Sequence, residues 1–181
     1  MKFIERKIEI PKFLHEVYGY RSSVVELVFT YITILSVTSI LVIMADDLDL
    51  PLFQWIIYIL LIIDLTGGVV SNFTEGTNHY YAESAKRRLV FISLHVIQPL
   101  LMYWIFPKEG WNIALISFLT LSTMLLVNGI GTHTKQRFFA AVFITLNITV
   151  AFLLGITPPV LLWLLIMFII KLVLAFAVRW R

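Results

Sequence analysis

The sequence predicts an all-α, polytopic membrane protein, a bundle of about six transmembrane helices preceded by an N-terminal interfacial amphipathic segment. Three observations carry that expectation. Hydrophobic residues make up 60% of the 181 and charged residues 14%, against roughly 45–50% and about 25% in soluble domains. The apolar excess falls in six blocks, each near the roughly 17–25 residues that a helix needs to cross the hydrocarbon core. A soluble chain this short cannot bury six of them. Lastly, Lys and Arg gather in alternate connections, on one side of the predicted membrane.

Residues 1–22 read as a cytoplasmic or interfacial segment and residues 23–181 as the six-helix domain. In the first segment, Pro11 can open a short helix, with Phe13, Leu14, Val17 and Tyr18 recurring on one face. Its charged stretch is too long for a cleaved signal, and no small-x-small site follows. The first span covers residues 23–45, and the acidic turn Asp46-Asp47-Leu48-Asp49 closes it. Pro51, a good first-turn residue, starts the second span, which runs to residue 73. A polar hairpin then ends in Lys86-Arg87-Arg88. The third span is predicted at 89–106, the fourth at 111–130, the fifth at 138–156 and the sixth at 160–178. Turns at 107–110, 131–137 and 157–159 join them.

The basic residues orient the bundle. Twelve of the fourteen lie in the N-terminal segment, the 74–88 hairpin, the 131–137 link and the C-terminus. Only Lys108 lies on the other side, and Lys171 is inside the sixth span. The positive-inside rule therefore predicts a multi-pass cell-membrane protein with both termini in the cytoplasm. That placement also accounts for the net charge of +3, and no nucleic-acid module accompanies it. Cysteine is absent, which excludes disulfides, thiolate ligands and a cysteine nucleophile.

Function in such a chain is expected where polar groups enter the bilayer. Asp64, His95, Asn147 and Lys171 come from four spans, and at about 1.5 Å per residue all lie roughly 10–14 Å from the cytoplasmic face. Glu26 sits nearer that face. Ser23, Glu26, Thr30 and Thr33 form a polar stripe on the first span, and Asp64, Gly67, Gly68, Ser71 and Asn72 one on the second. Arg88, His95 and Gln98 share a face of the third, where Pro99 deprives the His95 carbonyl of its helical donor. Asn128 ends the stripe of the fourth. Each feature also has a structural reading. Ser and Thr bond back to their own helices, Gly pairs permit close packing, Asp64 and Lys171 can form a registry-fixing ion pair, and Lys171 can snorkel outward.

Three functions are compatible with this layer. The first is a lipid- or small-molecule-acting enzyme or binding site, with Asp64 and His95 as an acid–base pair and His79 at the mouth. Its binding residues would be Glu26, Asn72, Arg88, Gln98, Asn128, His133, Asn147 and Lys171. The second is a proton-coupled or small-solute carrier, and the third a subunit that uses the layer to assemble with a further copy or a membrane partner. A His/Asp set could hold a divalent metal, although no H-x-x-x-H or H-E-x-x-H spacing is present. The outer halves of the spans are mostly apolar, which favours a site open to one side only.

Overall fold

The protein is described by a computed structural model over residues 6–180. Among these residues, six helical segments are long and apolar enough to cross a membrane: Val24–Met44, Leu52–Asn72, Ala85–Ile105, Pro107–Gly129, His133–Leu153 and Pro159–Phe176. Local chemistry sets their ends. Helix α2 (Val24–Met44) opens on a capping box, in which the Glu26 N–H donates to Ser23 Oγ and the Ser23 N–H to Glu26 Oε2. Helix α3 (Leu52–Asn72) begins after Pro51. The third span is two helices, α5 (Ala85–Leu94) and α6 (Ile97–Ile105), parted at His95 and Val96. Pro99 lies four residues beyond His95, so the His95 carbonyl has no amide to receive there.

Two spans start earlier than the sequence predicts. Ser84 caps α5 by accepting from the Arg87 N–H, which puts Lys86, Arg87 and Arg88 in helix rather than loop. Helix α8 (His133–Leu153) follows α7 (Gly110–Gly129) after three residues. Gln136 of α8 donates to the Val127 and Ile130 carbonyls at the end of α7, filling acceptors that a helix terminus leaves open.

The last span is the hub. Helix α9 (Pro159–Ile169) continues as a π-helix over Ile170–Phe176, whose wide turn is closed by the Ala177 N–H on the Leu172 carbonyl. This span packs against α3, α7 and α8 and supplies most of the core, including Leu161, Leu164, Phe168 and Leu172. Helix α2 lies at the edge, packed chiefly on α3, with Phe29, Ile32, Leu35 and Ile43 exposed. Its polar stripe does not point inward as a set. Ser23 and Glu26 cap the helix, while the Thr30 and Thr33 hydroxyls donate to the carbonyls four residues back. Thr33 is exposed.

The N-terminal segment folds as a compact hairpin that carries a short helical stretch after Pro11, not as one continuous amphipathic helix. Strand β1 (Lys7–Glu9) pairs antiparallel with β2 (Arg21–Ser23), and between them lie a 3-10 turn (Lys12–Leu14) and the single-turn helix α1 (His15–Tyr18). Gly19, at φ +70°, ends that helix. The apolar face is split accordingly: Phe13 is exposed and Tyr18 buried. Seven residues hold too few turns for side-chain periodicity to outweigh the tertiary contacts on offer.

Those contacts come from the polar hairpin after α3, which folds as helix α4 (Glu75–Ala82) with Thr74 as its cap. Its unusual density of polar side chains clamps both chain ends. Thr77 Oγ1 donates to the Val17 carbonyl and the Tyr81 hydroxyl to the Glu16 carbonyl, while the Trp180 N–H donates to Asn78 Oδ1. Both ends of the described chain therefore meet at one end of the bundle, as an even number of spans requires. Burial pushes the Tyr18 and Tyr81 phenols above their usual range, so they remain neutral donors.

Lys7 and Glu75, 2.8 Å apart, tie β1 to α4. Their hydrogen bond, then their mutual attraction, raise Lys7 above its ordinary 10.5 and lower Glu75 below its ordinary 4.5. The Glu75 contribution to docking is complete above its unfolded pKa and lost as pH falls through its depressed folded value. The Lys7 contribution is complete below its unfolded pKa and lost as pH rises through its raised folded value. A fluorescence distance reporter between β1 and α4 should therefore show looser docking at the acid extreme, and Glu75→Gln should flatten that acid limb. An acid limb that survives Glu75→Gln would assign it to another group.

Candidate functional site

One cavity, of about 430 Å³, collects most of the intramembrane polar layer. Asp64, Gly67, Gly68, Ser71 and Asn72 of α3 form one wall, and Lys171 of the π-helix reaches in behind them. Ile34 of α2 faces Phe91, Leu94, His95, Ile97 and Gln98 of the broken third span, and Glu16, Val17 and Tyr18 close the end toward α4. Asp64 lies eight residues before the end of α3, about 12 Å along its axis.

The glycines of α3 explain how a lysine fits there. A Cβ on Gly68 would collide with the Lys171 stem, and one on Gly67 would meet Ile34 Cδ1 at 2.9 Å. The small stripe is thus used by a neighbouring side chain. Lys171 is 2% exposed and does not snorkel outward. Its Nζ donates to Asp64 Oδ1 at 2.8 Å and to the Asp64 carbonyl at 3.2 Å. The Asp64 side chain is 51% exposed, and its second oxygen accepts from Gln98 Nε2. The pair is therefore lopsided, with a sealed cation and a carboxylate half open to the cavity.

His95 lines the same cavity but is not hydrogen-bonded to Asp64, so the expected acid–base pair is not a contact pair. Its Nδ1 lies 2.6 Å from the Phe91 carbonyl. A carbonyl only accepts, so Nδ1 carries the proton and, in the neutral ring, Nε2 presents a lone pair. That Nε2 is buried without a partner, as are Asn72 Nδ2 and Gln98 Oε1. Three residues that line one cavity thus each carry an orphaned polar atom.

The remaining expected site residues go elsewhere. His79 lies 3.1 Å from Glu83 and, with Glu26, borders a separate cleft beside β1 and β2. Asn147 donates to Thr123 Oγ1 at 3.0 Å and joins α8 to α7. Arg88, Asn128 and His133 line another cavity, beside Arg179. The four histidines do not converge: His15 meets the Ile10 carbonyl and His133 the Arg179 carbonyl. Among the described residues, no three His, Asp or Glu side chains are grouped so as to hold a metal ion, and the expected His/Asp set around Asp64 is not formed.

An aromatic stack runs between the two cavities. Phe91 lies 3.8 Å from Phe176 and 3.9 Å from His95, ring to ring, and the Arg88 guanidinium sits 4.4 Å over Phe176. Sequence spacing grouped Arg88 with His95 on one face, and this stack sets them apart. Reading the sequence also passed over Glu16, Phe91, Phe176 and Arg179. Arg179 lies just beyond the predicted sixth span and counts there only toward orientation, since a single basic residue at a helix end carries no local signal of a site. No protein-family model, no curated protein and no solved structure matches this chain.

Proposed function

We propose that this integral membrane protein binds a lipid-like amphiphile with an uncharged, hydroxyl-bearing head, in a cavity on the cytoplasmic side of the bilayer. The shared placement of Asn72, His95 and Gln98 in one cavity lining, each with a buried and unpartnered polar atom, carries the reading. Each such atom costs about 1–3 kcal/mol when left unpaired, and a ligand that pairs all three recovers that cost. A hydroxyl can donate to His95 Nε2 or Gln98 Oε1 and accept from Asn72 Nδ2. Asp64 and Lys171 offset each other and Glu16 stands at one end, so the cavity carries no excess positive charge to attract a phosphate.

The walls supply the apolar half. Ile34, Phe91 and Leu94 face the cavity, and Ile63, Leu94 and Ile97 are exposed along its edge, where a tail can pass into the bilayer. The volume of about 430 Å³ falls in the range of about 300–1,000 Å³ common for small-molecule sites. Orientation of the open side toward the cytoplasm rests on the positive-inside rule. His95 Nε2 would be the base if the bound hydroxyl reacts, with Asp64 and Lys171 fixing the local charge.

The test exploits a conflict between stability and binding. Asn72→Leu and His95→Phe each replace an orphaned group with an apolar one of similar size. Freed of ligand by detergent exchange, both variants should match or exceed the wild type, by about 1 kcal/mol in unfolding free energy. Native mass spectrometry of protein purified in mild detergent should find an amphiphile retained by the wild type and at least about tenfold depleted in either variant. Equal retention in all three proteins, or no retained amphiphile in the wild type, would sink the proposal.

A further inference from the structure

The second cavity, of about 410 Å³, lies at the end of the bundle where the chain ends meet, and its charged lining is wholly cationic. Arg88 and Arg179 border it with His133, and Leu89 and Ile92 form an apolar edge. Arg88 is 8% exposed. Its Nε and Nη2 donate to Asn128 Oδ1 at 2.9 and 2.7 Å, and Nη2 donates also to the Phe176 and Ala177 carbonyls. All of these acceptors are neutral, and Nη1 has no protein partner among the described residues.

Arg179 contributes only backbone atoms to the bonds of this region: its N–H goes to Gln136 Oε1 and its carbonyl accepts from His133 Nδ1. The His133 Nε2 is consequently the ring atom left for a ligand. Among the described residues, neither arginine has a carboxylate within ion-pairing distance, and the ion pairs found lie elsewhere. A buried guanidinium ordinarily finds an anionic partner, because its desolvation is otherwise uncompensated. Two guanidinium groups around one cavity, without a countercharge among the described residues, favour an added anion.

We propose that this cavity binds a phosphate group between Arg88 and Arg179, with His133, in its protonated form, as a third donor through Nε2. Guanidinium forks match phosphate oxygens two at a time. Asn128 and the Phe176 and Ala177 carbonyls occupy Nε and Nη2 and hold the Arg88 guanidinium in place, so its Nη1 is the donor preorganised for the anion, and Arg179 can supply the two-pronged edge. The exposed Leu89 and half-buried Ile92 beside the arginines place the cavity at the border between apolar surface and the basic end, the level of lipid headgroups. The same chemistry accommodates a phospholipid headgroup or free phosphate. This site lies apart from the Asp64 cavity, across the Phe176–Phe91–His95 stack, and stands whether or not that cavity binds an amphiphile.

The experiment uses the full chain, in detergent with inorganic phosphate and in nanodiscs of phosphatidylglycerol or phosphatidylcholine. The wild type should show phosphate-dependent thermal stabilisation, or native-mass-spectrometry adducts of phosphatidylglycerol in clear excess over phosphatidylcholine. Either signal should weaken as salt rises. Arg179→Gln should loosen the bound group at least about tenfold, and Arg179→Lys should recover part of it. The Arg179 side chain makes no hydrogen bond among the described residues, so this variant is expected to keep the fold, and His133→Gln gives a second, milder loss. Phosphate binding without lipid preference identifies a free anion as the ligand, and preference for phosphatidylglycerol alone identifies the headgroup. Neither signal, or signals indifferent to Arg179→Gln, would overturn the proposal.

Discussion

Replacing Asp64 with alanine is expected to lower the unfolding free energy by about 3–5 kcal/mol, the cost of stranding a buried charge. The Lys171 ammonium, almost fully sealed, would keep only the Asp64 backbone carbonyl of its present partners. Lys171→Met should cost less. The carboxylate that it abandons is half open to the cavity and retains its Gln98 contact, so water can take the place of the ammonium. The double variant Asp64→Ala, Lys171→Met should recover most of the loss from Asp64→Ala, because neither charge is then left alone. Equilibrium unfolding in mixed micelles measures all three. If Lys171→Met proves the more damaging single change, the unequal burial of the two partners is not the controlling factor.

Gly76→Ala should detach the N-terminal hairpin from α4 at a cost of about 1–3 kcal/mol, the range for forced overpacking. A Cβ at Gly76 would overlap the Arg21 carbonyl and stand 2.8 Å from that of Tyr18, while one at Gly19 would overlap the Gly76 carbonyl. These are backbone atoms on both sides, so no rotamer change relieves the clash. Trypsin sites at Lys7, Lys12 and Arg21 should then be cut about tenfold faster or more, because cleavage follows the population of the undocked form. Gly129→Ala serves as the control, since nothing lies within 4 Å of a Cβ there. Unchanged cleavage in Gly76→Ala would mean that the two backbones separate more easily than their contact implies. Glu16, Val17 and Tyr18 line the Asp64 cavity, so undocking also removes one of its walls.

Much of this architecture is legible in the residues themselves. Six apolar blocks of bilayer length become six helical spans because hydrocarbon leaves backbone groups no other partners. Pro99 marks the break in the third span for an equally local reason. Depth was legible too: Asp64 and Lys171, placed at one level by counting residues, do meet. Azimuth was not. Asn147 shares their level yet turns toward Thr123, and which way a helix faces depends on neighbours that no single segment encodes. Charged residues in first turns misled the placement of helix starts, since Lys86, Arg87 and Arg88 read as loop while Ser84 caps them into α5. The hairpin from Thr74 to Ala82 looked like a ligand-bearing loop, and its hydroxyls and amides hold the chain ends instead. Contacts so distant in sequence leave no periodic trace.

The π-helix over Ile170–Phe176 amounts to an extra residue wound into the last span. An α-helix advances about 100° per residue, so removing one residue from this stretch would restore regular bonding and swing everything beyond it through about that angle. Lys171, at its start, would keep its bearing on Asp64, whereas Arg179 and Trp180 would be carried away from His133 and Asn78. The wide turn thus acts as an angular offset between two addresses on one helix, one deep in the bilayer and one at its surface. Its length in residues fixes the phase at which the two ends of the span present their charges.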